Sequence, residues 1–173
     1  MARERAVRRF ASESAEATEA LGEALASLLG AGDVVALHGE LGAGKTCFVR
    51  GLARGLGVEV PVASPTFTLM HTYVGRVPMY HLDAWMQARG EAFLADGGAE
   101  WLRANGVAAI EWAERVADWL PEARFEVRLG HVGVEQRSIE VEGLGACGER
   151  VARLAVPSSL RELAAHADSG PST

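Results

Sequence analysis

The sequence predicts an α/β fold: a mostly parallel central sheet with antiparallel edge strands and helices on both faces. Three observations carry this expectation. First, Val34-Val35-Ala36-Leu37 and Val107-Ala108-Ala109-Ile110 are unbroken apolar runs, the pattern of strands buried on both sides. Second, helix-compatible segments separate the strand patterns, as in βαβ units. Third, the first run leads into Gly39-Glu40-Leu41-Gly42-Ala43-Gly44-Lys45-Thr46, and a helix-compatible stretch follows. These eight residues read G-x-x-x-x-G-K-[ST], the phosphate-binding loop, and strand–loop–helix is the context that loop requires. The expected architecture is therefore the three-layer P-loop NTPase fold.

The elements follow in order. Residues 15–29 form an amphipathic helix that Ser12 or Ser14 can cap, with Glu13 and Glu16 at its positive end and Gly30 and Gly32 closing it. After the strand at 34–37 and the phosphate-binding loop, residues 46–56 are helical and stop at Gly57. Residues 58–67 form a loop containing Ser64-Pro65-Thr66-Phe67. Residues 69–74 and 77–83 read as a hairpin turning at Gly75-Arg76, with Pro78 marking the second strand as an edge or irregular one. One or two short helices lie within 91–105, broken near Gly97-Gly98. The strand at 107–110 runs into Glu111-Trp112, and a short helix at 113–120 stops at Pro121. Residues 125–129 and 138–141 alternate as a second hairpin, 157–166 can form a last helix, and the polar 168–173 read as a disordered tail. Residues 1–167 are expected to be a single domain, with no internal repeat.

Composition narrows the function. A chain of 173 residues, nearly half of them apolar, can bury one sizeable core. With 23 acidic and 17 basic residues the formal net charge is −6, which argues against a broad basic surface for gripping nucleic acid unaided. The two cysteines, Cys47 and Cys147, make neither a disulfide framework nor a CxxC metal pattern, and a reducing cytoplasmic setting fits. The basic start lacks the apolar stretch of a signal peptide, and no run approaches membrane-spanning length.

The chemistry starts at the glycine-rich loop. Its backbone N–H groups can turn around phosphates, Lys45 can reach the β- and γ-phosphates, and the Thr46 hydroxyl can ligate Mg²⁺. Such a loop needs an acidic group on a neighbouring strand for the metal and the attacking water. Two strands end in a carboxylate, one at Asp83 and one at Glu111. Either could instead cap a following helix. Ser64, Thr66 and Thr68 put three hydroxyls on the loop after the phosphate-binding helix, where switch segments contact a γ-phosphate; a simple Ser-Pro turn is the alternative. His81 shares a strand face with Asp83 and can bond it, orient a water or serve packing alone. Trp112 points away from Glu111's face and reads as core, and Cys47 as small packing.

Taken together, these segments resemble the TsaE (YjeE) family of bacterial ATPases that support threonylcarbamoyladenosine modification of tRNA. The resemblance rests on Thr18, on residues 39–46 followed by Phe48, Arg50 and Gly51, on Ser64-Pro65-Thr66-Phe67-Thr68-Leu69, on His81-Leu82-Asp83, and on Ile110-Glu111-Trp112, in that order across about residues 12–143. It implies that Glu40, Leu41, Gly42, Ala43, Gly44, Lys45, Thr46 and Cys47 bind ATP, that Thr46 and Glu111 hold Mg²⁺, and that Lys45 and Asp83 serve hydrolysis. It further implies that Ser64 and Thr66 lie near the γ-phosphate and Thr18 near the adenine. The implied partners are TsaB and TsaD, which transfer the threonylcarbamoyl group to adenosine 37 of tRNAs reading ANN codons; RNA is met through that complex. The chain departs from the pattern at three places. Cys47 stands for a second threonine after the loop, Trp85 and Met86 stand for tyrosine and arginine, and Ala113 stands for proline.

Two other function classes share the motif. A small-molecule or nucleotide kinase would bring an arginine-bearing lid over the phosphates, for which residues 84–110 offer only Arg89 and Arg103. A nucleotide-gated binding module would show little turnover. The absence of an identifiable arginine finger predicts an ATPase that is slow alone.

Overall fold

The computed structural model describes residues 5–164. Eight strands form one sheet: β1 (Arg5–Ser12), β2 (Val34–His38), β3 (Met70–Tyr73), β4 (Met79–Asp83), β5 (Val107–Glu111), β6 (Arg124–His131), β7 (Arg137–Leu144) and β8 (Arg161–Leu163). Their order is β3-β4-β5-β2-β6-β7-β1-β8. Only the centre, β4-β5-β2-β6, is parallel; both flanks are antiparallel. The expectation of a mostly parallel sheet is corrected accordingly. Two antiparallel strands were hidden from the sequence. β1 lies in the basic start, and β8 lies where a helix over 157–166 was expected. Both exist through edge pairing, β1 on β7 and β8 on β1, and pairing of this kind overrides local propensity. The last two residues of that expected helix and the tail at 168–173 lie outside the described residues.

Helix α1 (Ala15–Ala26) starts at Ser14, whose hydroxyl accepts the Ala17 N–H at 3.1 Å. Helix α2 (Lys45–Gly55) springs from the phosphate-binding loop. Both cover one sheet face, where Val35, Leu37, Ala109, Phe125, Val127, Ile139 and Phe10 meet Leu21, Leu25, Phe48 and Leu52. The opposite face is covered by α3 (Gln87–Phe93), a π-helical turn (Leu94–Gly98), α4 (Ala99–Leu102) and a 3₁₀ helix (Ala113–Trp119). The break at Gly97, with φ of +96°, falls where the glycine pair predicted it. This second core takes Val34 and Ala36 from β2, Tyr80 and Leu82 from β4, and Ala108 and Ile110 from β5.

Beyond β2 the second face carries a charged ladder in place of helices. Arg9 and Arg128 pair with Glu140, Arg128 also with Glu142, and Arg124 with Glu126. Burial alone pushes the Glu126 carboxyl up, but bonding to His38 and Arg124 outweighs it and holds the group below the usual carboxylate range. Helices thus cover both faces only over half the sheet. A short α5 (Gly148–Ala152) closes the β1 and β7 end on the first face. Among the described residues, no helix is long and apolar enough to cross a membrane.

The α1–α2 contact is backbone on backbone. A Cβ on Gly51 would lie 1.9 Å from the Glu19 carbonyl oxygen, and one on Gly22 would lie 2.3 Å from that of Phe48. A helical glycine changed to alanine normally gains helix stability, by about 1 kcal/mol. Here Gly51→Ala is expected to reverse that sign, with overpacking of roughly 1–3 kcal/mol and a Tm lowered by about 2–4 °C for each kcal/mol. A thermal melt at or above the wild-type midpoint would show that the helices do not touch this way.

Candidate functional site

The parallel centre decides where the site lies. In open α/β sheets, ligands settle at the carboxyl ends of strands where connections diverge to opposite sides. Here the chain leaves β2 toward β5 and β4 on one side, while β6 lies on the other. Register then aligns the chemistry. Leu37, the next-to-last residue of β2, pairs with Glu111, and Glu111 pairs with Asp83 across β4 and β5. Both carboxylates therefore sit side by side at the mouth of the phosphate-binding loop, each 3% exposed. Strand β4 is interior and wholly buried, contrary to the edge position that Pro78 suggested; the proline precedes the strand and accepts from Val107 N–H at 2.8 Å.

In the loop, Gly42 and Gly44 take φ of +76° and +103°, conformations that side chains resist and that backbone anion nests use. Lys45 begins α2 and is 5% exposed. Its Nζ donates to the carbonyls of Gly39 at 2.5 Å and Glu40 at 2.9 Å, and lies 3.8 Å from the centre of the Trp112 ring. Burial pulls the Lys45 ammonium below the usual lysine range, against the pull of Glu111, Glu114 and Asp83. The Thr46 hydroxyl donates to Glu111 Oε1 at 2.7 Å, and His81 Nε2 meets the same oxygen at 2.8 Å. His81, fully buried, thus serves Glu111 and not Asp83.

Asp83 is held from two sides. The Thr66 hydroxyl donates to Oδ2 at 2.7 Å and the Trp85 N–H to Oδ1 at 2.8 Å; Ser64 Oγ lies 2.7 Å from Thr66 Oγ1. The structure thereby joins the hydroxyl loop to the carboxylate. A cleft of about 210 Å³ runs between Lys45, Thr46, Ser64, Thr66, Asp83, Glu111 and Trp112. A second, of about 270 Å³, adjoins it beside Thr18, Gly42, Gly44 and Cys47. Thr18 is buried with its hydroxyl 2.8 Å from Ser12 Oγ. Cys47 is half-buried, its Sγ donating to the Ala15 carbonyl at 3.2 Å, and burial followed by the nearby Glu19 pushes its thiol up. Glu40 and Leu41 are exposed on the outer turn of the loop.

The donor set suits a triphosphate with Mg²⁺. Thr46 and Glu111 offer hard oxygens, and Mg²⁺ is usually held by one or two protein oxygens with phosphate and water completing its shell. Accordingly, an all-protein cluster is not required, and among the described residues no group of three His, Cys, Asp or Glu could hold a metal ion.

Sequence reasoning missed four participants. Trp112, expected in the core, adopts a left-handed φ of 57° and turns its ring to the cleft. Arg115 stacks beside it at 5.1 Å from that ring centre. From the β6–β7 turn, Arg137 donates to the Gly42 carbonyl at 3.2 Å, and His131 Nε2 lies 3.3 Å from that of Leu41. Only Trp112 belongs to a motif, so proximity in the fold alone could reveal the other three. Neither arginine raised for a lid lines the cleft: Arg103 donates to Ala99 O at 3.0 Å, and Arg89 to the carbonyl of Phe67 on the hydroxyl loop at 3.4 Å.

Comparison with known proteins gives a consistent picture. A family model described as threonylcarbamoyl adenosine biosynthesis protein TsaE matches residues 12–139. A Treponema pallidum protein named tRNA threonylcarbamoyladenosine biosynthesis protein TsaE is 45% identical over 133 residues, covering 77% of this chain and 98% of its own. A Bacillus subtilis protein of the same name is 37% identical over 132 residues, covering 75% and 82%. The crystal structure of Bacillus subtilis YdiB superposes with a TM-score of 0.75 at 30% identity, over 87% of this chain and 95% of that one.

Proposed function

The chain belongs to the TsaE family of tRNA threonylcarbamoyladenosine biosynthesis proteins, and from that premise we propose that it binds and hydrolyses ATP to sustain threonylcarbamoylation by a TsaB–TsaD type complex. The observation that carries this reading is the meeting of Lys45 and Thr46 with two buried carboxylates, Glu111 and Asp83, in one cleft. We take the chain to be one three-layer P-loop ATPase domain over residues 1–167, working in the cytoplasm and reaching tRNA through its partners. Its acidic balance of −6 is in keeping with indirect contact to RNA.

The roles follow from charge and position. Lys45 binds the β- and γ-phosphates, and the loop from Glu40 to Cys47 wraps them with backbone N–H groups. Cys47 contributes its backbone, since its thiol is engaged with Ala15. Mg²⁺ held by Thr46 and Glu111 would neutralise charge on the phosphate oxygens. His81 orients Glu111, and Asp83 orients the attacking water. Ser64 and Thr66 sense the γ-phosphate and transmit its loss to Asp83 through the Thr66 hydroxyl. Thr18, beside Gly44, borders the adenine. No arginine lines the 210 Å³ cleft among the described residues, so turnover is slow until a partner completes it.

Reconstitution tests the reading. Incubated with ATP, tRNA and its TsaB–TsaD counterparts, this protein is expected to raise modified tRNA well beyond one product per complex. Equal yield without the protein or with a non-hydrolysable ATP analogue would overturn it. Transfer of labelled γ-phosphate to a small acceptor would favour a kinase instead.

A further inference from the structure

After Ala84, which is buried in the second core, the chain comes to the surface. Trp85 and Met86 are 40% and 39% exposed, yet the Trp85 N–H donates to the Asp83 carboxylate at 2.8 Å. Beyond the Ala84 N–H bond to the Glu111 carbonyl at 3.0 Å, a side chain from another element holds this segment. The guanidinium of Arg115, on the 3₁₀ helix, donates to the Trp85 carbonyl and lies 4.4 Å from the centre of the Trp85 ring. The same guanidinium sits 5.1 Å from the Trp112 ring, and the two tryptophans pack edge to face with centres 4.6 Å apart. Arg115 is aimed at them by an unusual corner. Trp112 is one of two non-glycine residues with positive φ among the described residues, and Arg115 N–H donates to its carbonyl at 3.0 Å. The other such residue, Leu69 at φ of 72°, accepts the Asp83 N–H at 2.9 Å. Strained backbone thus abuts both carboxylates, the placement expected where structure over-determines a working geometry.

We infer that Arg115 is a positioning residue for hydrolysis, clamping Trp85 against Trp112 so that the Trp85 N–H fixes the carboxylate of Asp83. A planar fork suits this role, because it stacks on rings while donating to a carbonyl, which an ammonium does less well. The inference rests on the ATPase reading with Asp83 as the residue that orients water.

The test is single-turnover hydrolysis of pre-bound ATP and Mg²⁺ by the full chain, with ATP affinity measured in parallel. Arg115→Gln is expected to slow hydrolysis about tenfold or more, since misplacement of about 1 Å can cost roughly 10²-fold. Affinity should hold within a few-fold, because Arg115 makes no direct contact with Lys45 or the loop and meets Lys45 only through the Trp112 ring. In an Asp83→Ala background, Arg115→Gln should slow the reaction no further. Arg115→Lys, which keeps the cation over the rings, is expected to fall between and carries the test if the glutamine variant is unfolded. Wild-type hydrolysis by Arg115→Gln, or an undiminished effect in the Asp83→Ala background, would overturn the clamp while leaving the ATPase reading intact. If Asp83→Ala alone hydrolyses at the wild-type rate, the assignment of Asp83 fails, and the clamp with it.

Discussion

Lys45→Ala is expected to abolish tight ATP binding. The Lys45 ammonium is the one basic side chain lining the triphosphate cleft among the described residues, and it is already oriented by the Gly39 and Glu40 carbonyls and by the Trp112 ring. Its neighbours there, Glu111 and Asp83, are acidic, so without it an anionic ligand meets net negative charge. A hydrogen bond to a charged group contributes about 1.5–3 kcal/mol. Losing contacts to two phosphate groups should therefore raise Kd by about 10²–10⁴, at about 1.4 kcal/mol per tenfold. Calorimetric titration of the folded variant with ATP and Mg²⁺ checks this; unchanged affinity would remove the cleft as the nucleotide site.

Asp83→Ala has the second largest expected effect, and its signature differs. Asp83 stands beside Glu111, which Thr46 bonds, and it faces the hydroxyl loop through Thr66. Its removal should spare affinity and lower the rate of bound-ATP hydrolysis by about 10²–10³, the usual loss when one preorganised electrostatic group goes. The change also leaves the Thr66 hydroxyl and the Trp85 N–H without their partner, at about 1–3 kcal/mol for an unmet buried group. Asp83→Asn, which keeps an acceptor, should recover stability without recovering rate. A variant that hydrolyses normally would disprove the assigned role. The two substitutions together separate binding from turnover: the first is expected to cost affinity, the second rate.

The legible parts of this protein were those whose cause is local. Residues 39–46 bend as they do because of glycines within the loop itself, and Ser14 caps α1 through a bond spanning three residues. Apolar runs at β2 and β5 announced burial on both faces. One hairpin was visible from its turn at Gly75-Arg76 and the other from alternation, although β4 proved interior, since one proline outside a strand says nothing about what pairs with it. The strand β1 was masked by its arginines. Arg9 lies against Glu140 and Arg8 against Glu162, so the charge of that basic start serves cross-strand pairing.

The sequence by itself determined that the chain holds a phosphate-binding loop between a buried strand and a helix, that two strands end in carboxylates, and that it resembles one family. Only the tertiary structure decided that Asp83 and Glu111 stand in adjacent register, that His81 serves Glu111, that Trp112 reaches Lys45 while packing against the second core, and that Arg115 reaches Trp85 from another element. The physical reason is range. A loop's φ angles and a helix cap are settled within a few residues, whereas register between strands and stacking across a cleft depend on how distant segments share one sheet and its two cores.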